Sequence, residues 1–223
     1  MTRAILTGAL SAAVLVLTTG CGPAKPPELD KLPEGREAVL FNGEDLTGWE
    51  VIVDDIFYDR TGKVEVVDGS VVLGAGQELT AVRWAGKVLR DNFRITFQAR
   101  RIEGEDFFCG LTFPVRKGHV TLILGGWAGT AVGLSNIDDM SAIENETTQM
   151  ITFKLGKWYD VEVEVHAGRI VISLDNETII DQEIGDHKFN VWPQMEPPRP
   201  LGIATYCTKG AFRNVVVRRL PAG

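Results

Sequence analysis

Trp158-Tyr159-Asp160-Val161-Glu162-Val163-Glu164-Val165-His166 alternates apolar and polar side chains without a break. A period of two is the signature of a strand with one face on a core and the other in water. The chain then turns at Ala167-Gly168, resumes through Ile170, Ile172 and Leu174, turns again at Asp175-Asn176 and continues into Thr178, Ile179 and Ile180. That is a meander of antiparallel hairpins. Upstream, Asn92 to Arg101 repeats the pattern, with Phe93, Ile95, Phe97 and Ala99 on one face and Arg94, Thr96, Gln98 and Arg100 on the other.

The same reading predicts strands at Trp49 to Val53, Val64 to Val67, Ser70 to Leu73, Phe107 to Phe113, Gly118 to Leu124, Ala131 to Leu134, Met150 to Phe153, Leu201 to Thr205 and Phe212 to Arg218. Helical periodicity is missing, apart from a short turn of helix expected between Asp138 and Asn145. About a dozen short strands with turn residues between them predict an all-β, single-domain antiparallel β-sandwich, a jelly roll. The final strand is expected beside the first. Pro193, Pro197, Pro198 and Pro200 predict a rim loop before the last two strands.

Working back to the N-terminus, the chain divides at residues 21 and 36. Arg3 precedes an apolar run from Ala4 to Leu17, too short to span a membrane and shaped like a secretory signal. Leu17-Thr18-Thr19-Gly20-Cys21 resembles a bacterial lipoprotein cleavage site, so residues 1–21 read as a signal peptide ending at Cys21, the lipidation site. Residues 22–36, rich in proline, read as a tether, and residues 37–223 as the globular domain. The expected location is the cell envelope, outside the cytoplasm, with the membrane as a partner through a lipid anchor. A formal charge of −7 with no basic block makes nucleic acid an unfavourable partner. Cys109 and Cys207 could pair outside the cytoplasm or remain as two buried thiols; their spacing is not that of a zinc site.

Leu40-Phe41-Asn42-Gly43-Glu44-Asp45-Leu46-Thr47-Gly48-Trp49 is a turn between two strands, built on Asn42, Asp45 and Gly48, with Trp49 packed below it. It resembles the N-terminal signature of the 3-keto-disaccharide hydrolase domain family, first known as a domain of unknown function. Val67-Asp68-Gly69-Ser70-Val71-Val72, the Trp158 hairpins and Gly202-Ile203-Ala204 with Phe212-Arg213-Asn214-Val215 agree with it in order. The resemblance covers about Ala38 to Leu220. It implies a concanavalin A-like sandwich and work on carbohydrate: a 3-keto-glycoside hydrolase or 1,2-lyase, or a glycan-binding module. A ketone at sugar carbon 3 acidifies the hydrogen on carbon 2, so such a site needs a base, a donor for the enolate oxygen and a surface for the ring. Many members carry a strand of the type Gly-Tyr-Glu-aliphatic-Gln-Ile; here the run is Gly118-His119-Val120-Thr121-Leu122-Ile123-Leu124, without the Glu or the Gln.

His119 is the candidate base, on the face opposite Val120, Leu122 and Leu124, with Arg116 as a cation for the enolate; the alternative is a polar strand carrying one ordinary histidine. Asp138 is a further catalytic candidate. Asp139, Trp127 and Trp192 are candidates for holding sugar, although solvation and capping are the common fate of such aspartate pairs. Trp49 and Trp158 are expected in the core. Asp160, Glu162 and Glu164 stand about 6.6 Å apart along one strand, which suits a solvated outer face better than a glycosidase pair. No cofactor is expected; a structural or catalytic divalent metal is left open.

Overall fold

The computed structural model describes residues 25–53 and 55–222. The expected signal peptide and lipidation site at Cys21 lie outside the described residues. Fifteen strands run β1 (Glu37–Val39), β2 (Trp49–Val51), β3 (Val64–Val67), β4 (Ser70–Leu73), β5 (Leu79–Trp84), β6 (Phe93–Glu103), β7 (Cys109–Val115), β8 (Gly118–Gly125), β9 (Ala131–Ser135), β10 (Gln149–Met150), β11 (Tyr159–Val165), β12 (Arg169–Leu174), β13 (Glu177–Glu183), β14 (Gly202–Tyr206) and β15 (Lys209–Arg219). They form two antiparallel sheets. The eight-stranded sheet is ordered β13-β12-β11-β6-β15-β4-β3, with β1 added on β15; the seven-stranded sheet is ordered β10-β9-β8-β7-β14-β5-β2. This is the expected jelly-roll sandwich, and the last strand does lie beside the first.

Alternation sets the two faces. Tyr159, Val161, Val163 and Val165 of β11 and Phe93, Ile95, Phe97 and Ala99 of β6 point inward, against Leu111, Phe113, Val120, Leu122 and Leu124 of the other sheet. The carboxylates of β11 stay outside: Arg94 Nε lies 3.4 Å from Glu162, Arg94 also binds Glu164, and Gln98 donates to Asp160 at 2.7 Å. They are a solvated face. Strand β5 was not expected from the sequence, because it is buried on both sides and shows no alternation.

Three local expectations are corrected. Asp138 to Asn145 forms turns, since Asp138 and Asp139 have φ of 52° and 66°, outside the right-handed helix. Trp158 is half-buried outside the core, clamped between the guanidinium groups of Arg100 and Arg213 at 4.5 and 4.3 Å from its ring. The segment 25–36 is docked on the sandwich and does not hang free. Leu29 is 1% exposed within the core, its N–H bonds Lys87, and the Gly35 N–H bonds Arg219. The leucine supplies the apolar contact that the prolines lack. Cys109 is buried and Cys207 exposed, and both are free thiols, so the disulfide alternative is not realised.

The signature turn behaves as a structural knot. Asn42 Oδ1 accepts from the N–H groups of Glu44 and Asp45 at 2.8 and 3.0 Å, and Asp45 accepts from Thr47 N–H at 2.9 Å. Gly48 has φ of 84°, and a Cβ there would sit 2.6 Å from the Trp84 ring. Trp49 enters the core below, packed edge-on against Trp84 at 5.5 Å, with its indole N–H 2.8 Å from the Leu40 carbonyl.

Candidate functional site

The outer face of the seven-stranded sheet is paved with small side chains. Register places Gly133, Ile123, Gly110, Ala204 and Ala81 in one row across it, and Ser135, Thr121, Thr112 and Gly202 in the next. Small floors leave room above them. Part of that room is filled by a second apolar cluster in which Tyr58, Val191 and Met195 lie over Leu79, Ala81 and Ala204. The Pro-rich segment is pinned here, as Tyr58 donates its hydroxyl to the Gln194 carbonyl at 2.9 Å. What is left open is a cavity of about 200 Å³ floored by Thr121, Ile123, Ser135 and Leu79.

Its walls come from three separate loops: Asp106 and Phe107 between β6 and β7, Trp127 between β8 and β9, and Trp192, Gln194 and Met195 of the Pro-rich segment, with Tyr206 from the end of β14. Trp127 and Trp192 meet edge-on at 6.2 Å, and Phe107 stacks on Tyr206 at 5.9 Å. Trp192 is 41% exposed, so an indole is available at the rim. An apolar, aromatic cavity with a few polar groups is the usual character of a small-ligand site, and indole faces suit the C–H face of a sugar ring.

Trp127 is held in place at a cost. It and Ala128 have φ of 45° and 62°, a left-handed conformation that costs a bulky residue about 1–3 kcal/mol. Buried Arg101 donates to the carbonyls of Gly125 and Gly129 at 3.3 and 2.7 Å, clamping both ends of the loop. The Asp106 carboxylate accepts the backbone N–H of Phe107 at 2.7 Å, and the Trp127 N–H favours its charged form. Burial nonetheless wins over these bonds and over Arg101, and raises the Asp106 pKa above its ordinary value. A desolvated carboxylate is a stronger base than an exposed one, and it sits in the cavity wall.

The sequence candidates do not all converge. Trp127 and Trp192 line the cavity together. His119 is on the predicted face, two residues before Thr121 on β8, yet it is outside the cavity wall. Burial first, then the cations Arg90 and Arg199, push its pKa down to about 4, and its Nε2 has no partner among the described residues. It is neutral at pH 7. Arg116 is directed elsewhere: its guanidinium donates to the carbonyls of Gly185 and Ala167 at 2.7 and 3.3 Å, beyond the opposite end of β8. Asp138 is engaged by His187 Nδ1 at 2.6 Å and by the Lys188 N–H at 2.8 Å. Asp139 binds Lys188 Nζ and Asn190. These two aspartates tie the β9 loop to the segment before Trp192, and His119, Arg116 and Asp138 do not line the cavity, whose wall carries Asp106, Gln194 and Tyr206. Among the described residues no group of three or more His, Cys, Asp or Glu side chains is placed to hold a metal ion.

His119 carries a stability consequence. Its folded pKa of about 4 lies below the ordinary 6.5, so between those values the unfolded chain binds more protons. Stability is therefore lost as pH falls from 6.5 toward 4. Denaturant midpoints measured at pH 7 and pH 5 are expected to differ less in His119→Leu than in the wild type.

Several solved structures share the fold. A candidate glycosyl hydrolase of Parabacteroides distasonis has 16% identity and a TM-score of 0.51, with 83% of this chain and 94% of that one covered. The carbohydrate-binding module CBM66 of Bacillus subtilis has 13% identity and a TM-score of 0.51, covering 77% and 95%. The Crh5 transglycosylase has 12% identity and a TM-score of 0.56, covering 90% and 91%. No curated protein matches the chain. The family model for the 3-keto-alpha-glucoside-1,2-lyase-like domain matches residues 37–218, from β1 to the penultimate residue of β15, and the chain belongs to that carbohydrate-related family.

Proposed function

We propose that the protein takes one ring of a 3-keto-glycoside into the cavity on the outer face of the seven-stranded sheet and cleaves its glycosidic bond by elimination. The observation that carries this reading is the desolvated Asp106 carboxylate in a cavity wall shared with Trp127, Trp192 and Tyr206. Asp106 accepts the proton from carbon 2, and the electron pair moves onto the ketone oxygen at carbon 3. Reforming the carbonyl expels the substituent at carbon 1, leaving an unsaturated ketone to which water can add. The Tyr206 hydroxyl and the Gln194 amide are the donors at hand for the enolate oxygen. Trp127 and Trp192 hold the ring.

A 3-keto-glucoside of p-nitrophenol tests this directly: the expected result is release of nitrophenol, and an intact substrate after prolonged incubation would refute cleavage. Trp127→Ala and Trp192→Ala are each expected to weaken binding by about 1–2 kcal/mol, roughly ten-fold, in calorimetric titration. The second reading is a module that binds glycan without turnover. It is favoured by the missing Glu and Gln in β8, and a measurable Kd with no product would establish it. In either case we place the protein in the cell envelope, outside the cytoplasm, anchored through lipid on Cys21.

A further inference from the structure

We infer that the sandwich end bearing the β7–β8 turn rests on an anionic lipid surface, with the cavity turned away from it. The inference rests on the reading of Cys21 as the lipidated residue. Lys25 is the first described residue, and Pro26 already packs 3.3 Å from the position of a Cβ on Gly48. Only Gly22, Pro23 and Ala24 separate Cys21 from that docked chain. Four peptide units reach at most about 14 Å. Such a leash holds the domain against the bilayer and selects which end faces it.

That end is identified by what the docked segment touches. Leu29 closes a crevice with Phe93, Pro114, Leu201 and Val217, at the ends of the strands where Trp84, Val115, Gly118 and Arg219 also lie. Strand β8 starts there at Gly118 and finishes at Gly125, beside the Trp127 loop. Its eight residues span about 26 Å. The cavity therefore opens at the far end.

In a chain whose formal net charge is −7, this end gathers four cations outside any ion pair among the described residues, Arg90, Arg116, Lys117 and Arg219. Arg90 donates to the carbonyls of Arg116 and Lys117 at 2.6 and 3.1 Å, Arg116 to those of Gly185 and Ala167, and Arg219 to those of Asp30 and Leu32. Carbonyls orient these guanidinium groups without neutralising them. Among the described residues no carboxylate pairs with Arg90, Arg116, Lys117 or Arg219, whereas Lys31 and Lys87 are paired with Glu28 and Asp30. A cluster of cations outside any ion pair, brought within a Debye length of anionic headgroups, is drawn to them.

The test uses the full lipid-modified chain in vesicles of phosphatidylglycerol and phosphatidylcholine, 1:3, and in vesicles of phosphatidylcholine alone. Hydrogen exchange at residues 87–91 and 116–118 is expected to slow about three- to ten-fold on the anionic vesicles, with residues 125–129 and 206–208 unchanged. Lys117→Glu, an exposed side chain with no partner to lose, is expected to remove most of that protection, and Lys117→Arg to keep it. Equal exchange on both vesicles, or protection at the Trp127 end, overturns the inference. The intact mass reads the anchor separately: an unmodified Cys21 overturns the lipid reading and this one with it, while a lipidated chain without protection overturns the docking alone.

Discussion

Asp106→Asn is expected to lower turnover of a 3-keto-glycoside by about 10²–10⁴-fold, the usual contribution of a positioned base, while the Kd for the same sugar changes little. Asparagine keeps the size of the side chain and an oxygen to accept the Phe107 N–H, so the loop geometry survives and only the proton acceptor is lost. The pH profile supplies a second readout. Burial raises the Asp106 pKa, and a base works only when deprotonated, so kcat/KM is expected to rise with pH through a limb lying above the ordinary aspartate value. A limb at that ordinary value, or an Asn variant of full activity, removes Asp106 from the chemistry.

Trp49→Ala is expected to cost about 3–5 kcal/mol of stability, as large aromatic truncations in packed cores do. Three losses add up at this site: the buried ring, its edge-on contact with Trp84 at 5.5 Å and tilted contact with Phe212 at 5.7 Å, and the indole bond that satisfies the Leu40 carbonyl. Trp49→Phe separates them. It keeps most of the packing and loses the hydrogen bond, so about 1 kcal/mol is expected. Urea unfolding of the two variants checks the pair of values, and similar midpoints for both would show that the hydrogen bond, not the ring, dominates.

The fold was legible because strands with one wet face write their register into the sequence. The β11 to β13 meander and the Phe93–Ala99 face of β6 lie where alternation puts them, whereas β5, buried on both sides, leaves no such trace. The site was legible only in part. Thr121 and Ile123 were on the predicted face and two of the indoles were in the predicted loops. Asp106 meets Gln194 and Tyr206 from about 90 and 100 residues away in sequence, a closure that tertiary packing makes and local pattern does not. Arg101 did leave a sign. It continues the inward parity of Phe93, Ile95, Phe97 and Ala99, and a guanidinium aimed inward needs partners, here the carbonyls that hold the Trp127 loop.

Strand β15 lies in the middle of the eight-stranded sheet, bonded on one stretch to β6 and β4 and on another to β6 and β1. A chain that leaves the ribosome from its N-terminus has β1, β4 and β6 early, yet has nothing to join them until Lys209–Arg219 is synthesised. These pairings are distant in sequence and slow to form. Strand β15 is the piece that closes the sheet, so in a nascent chain β1 and β4 stay unjoined to β6 until Lys209–Arg219 has emerged.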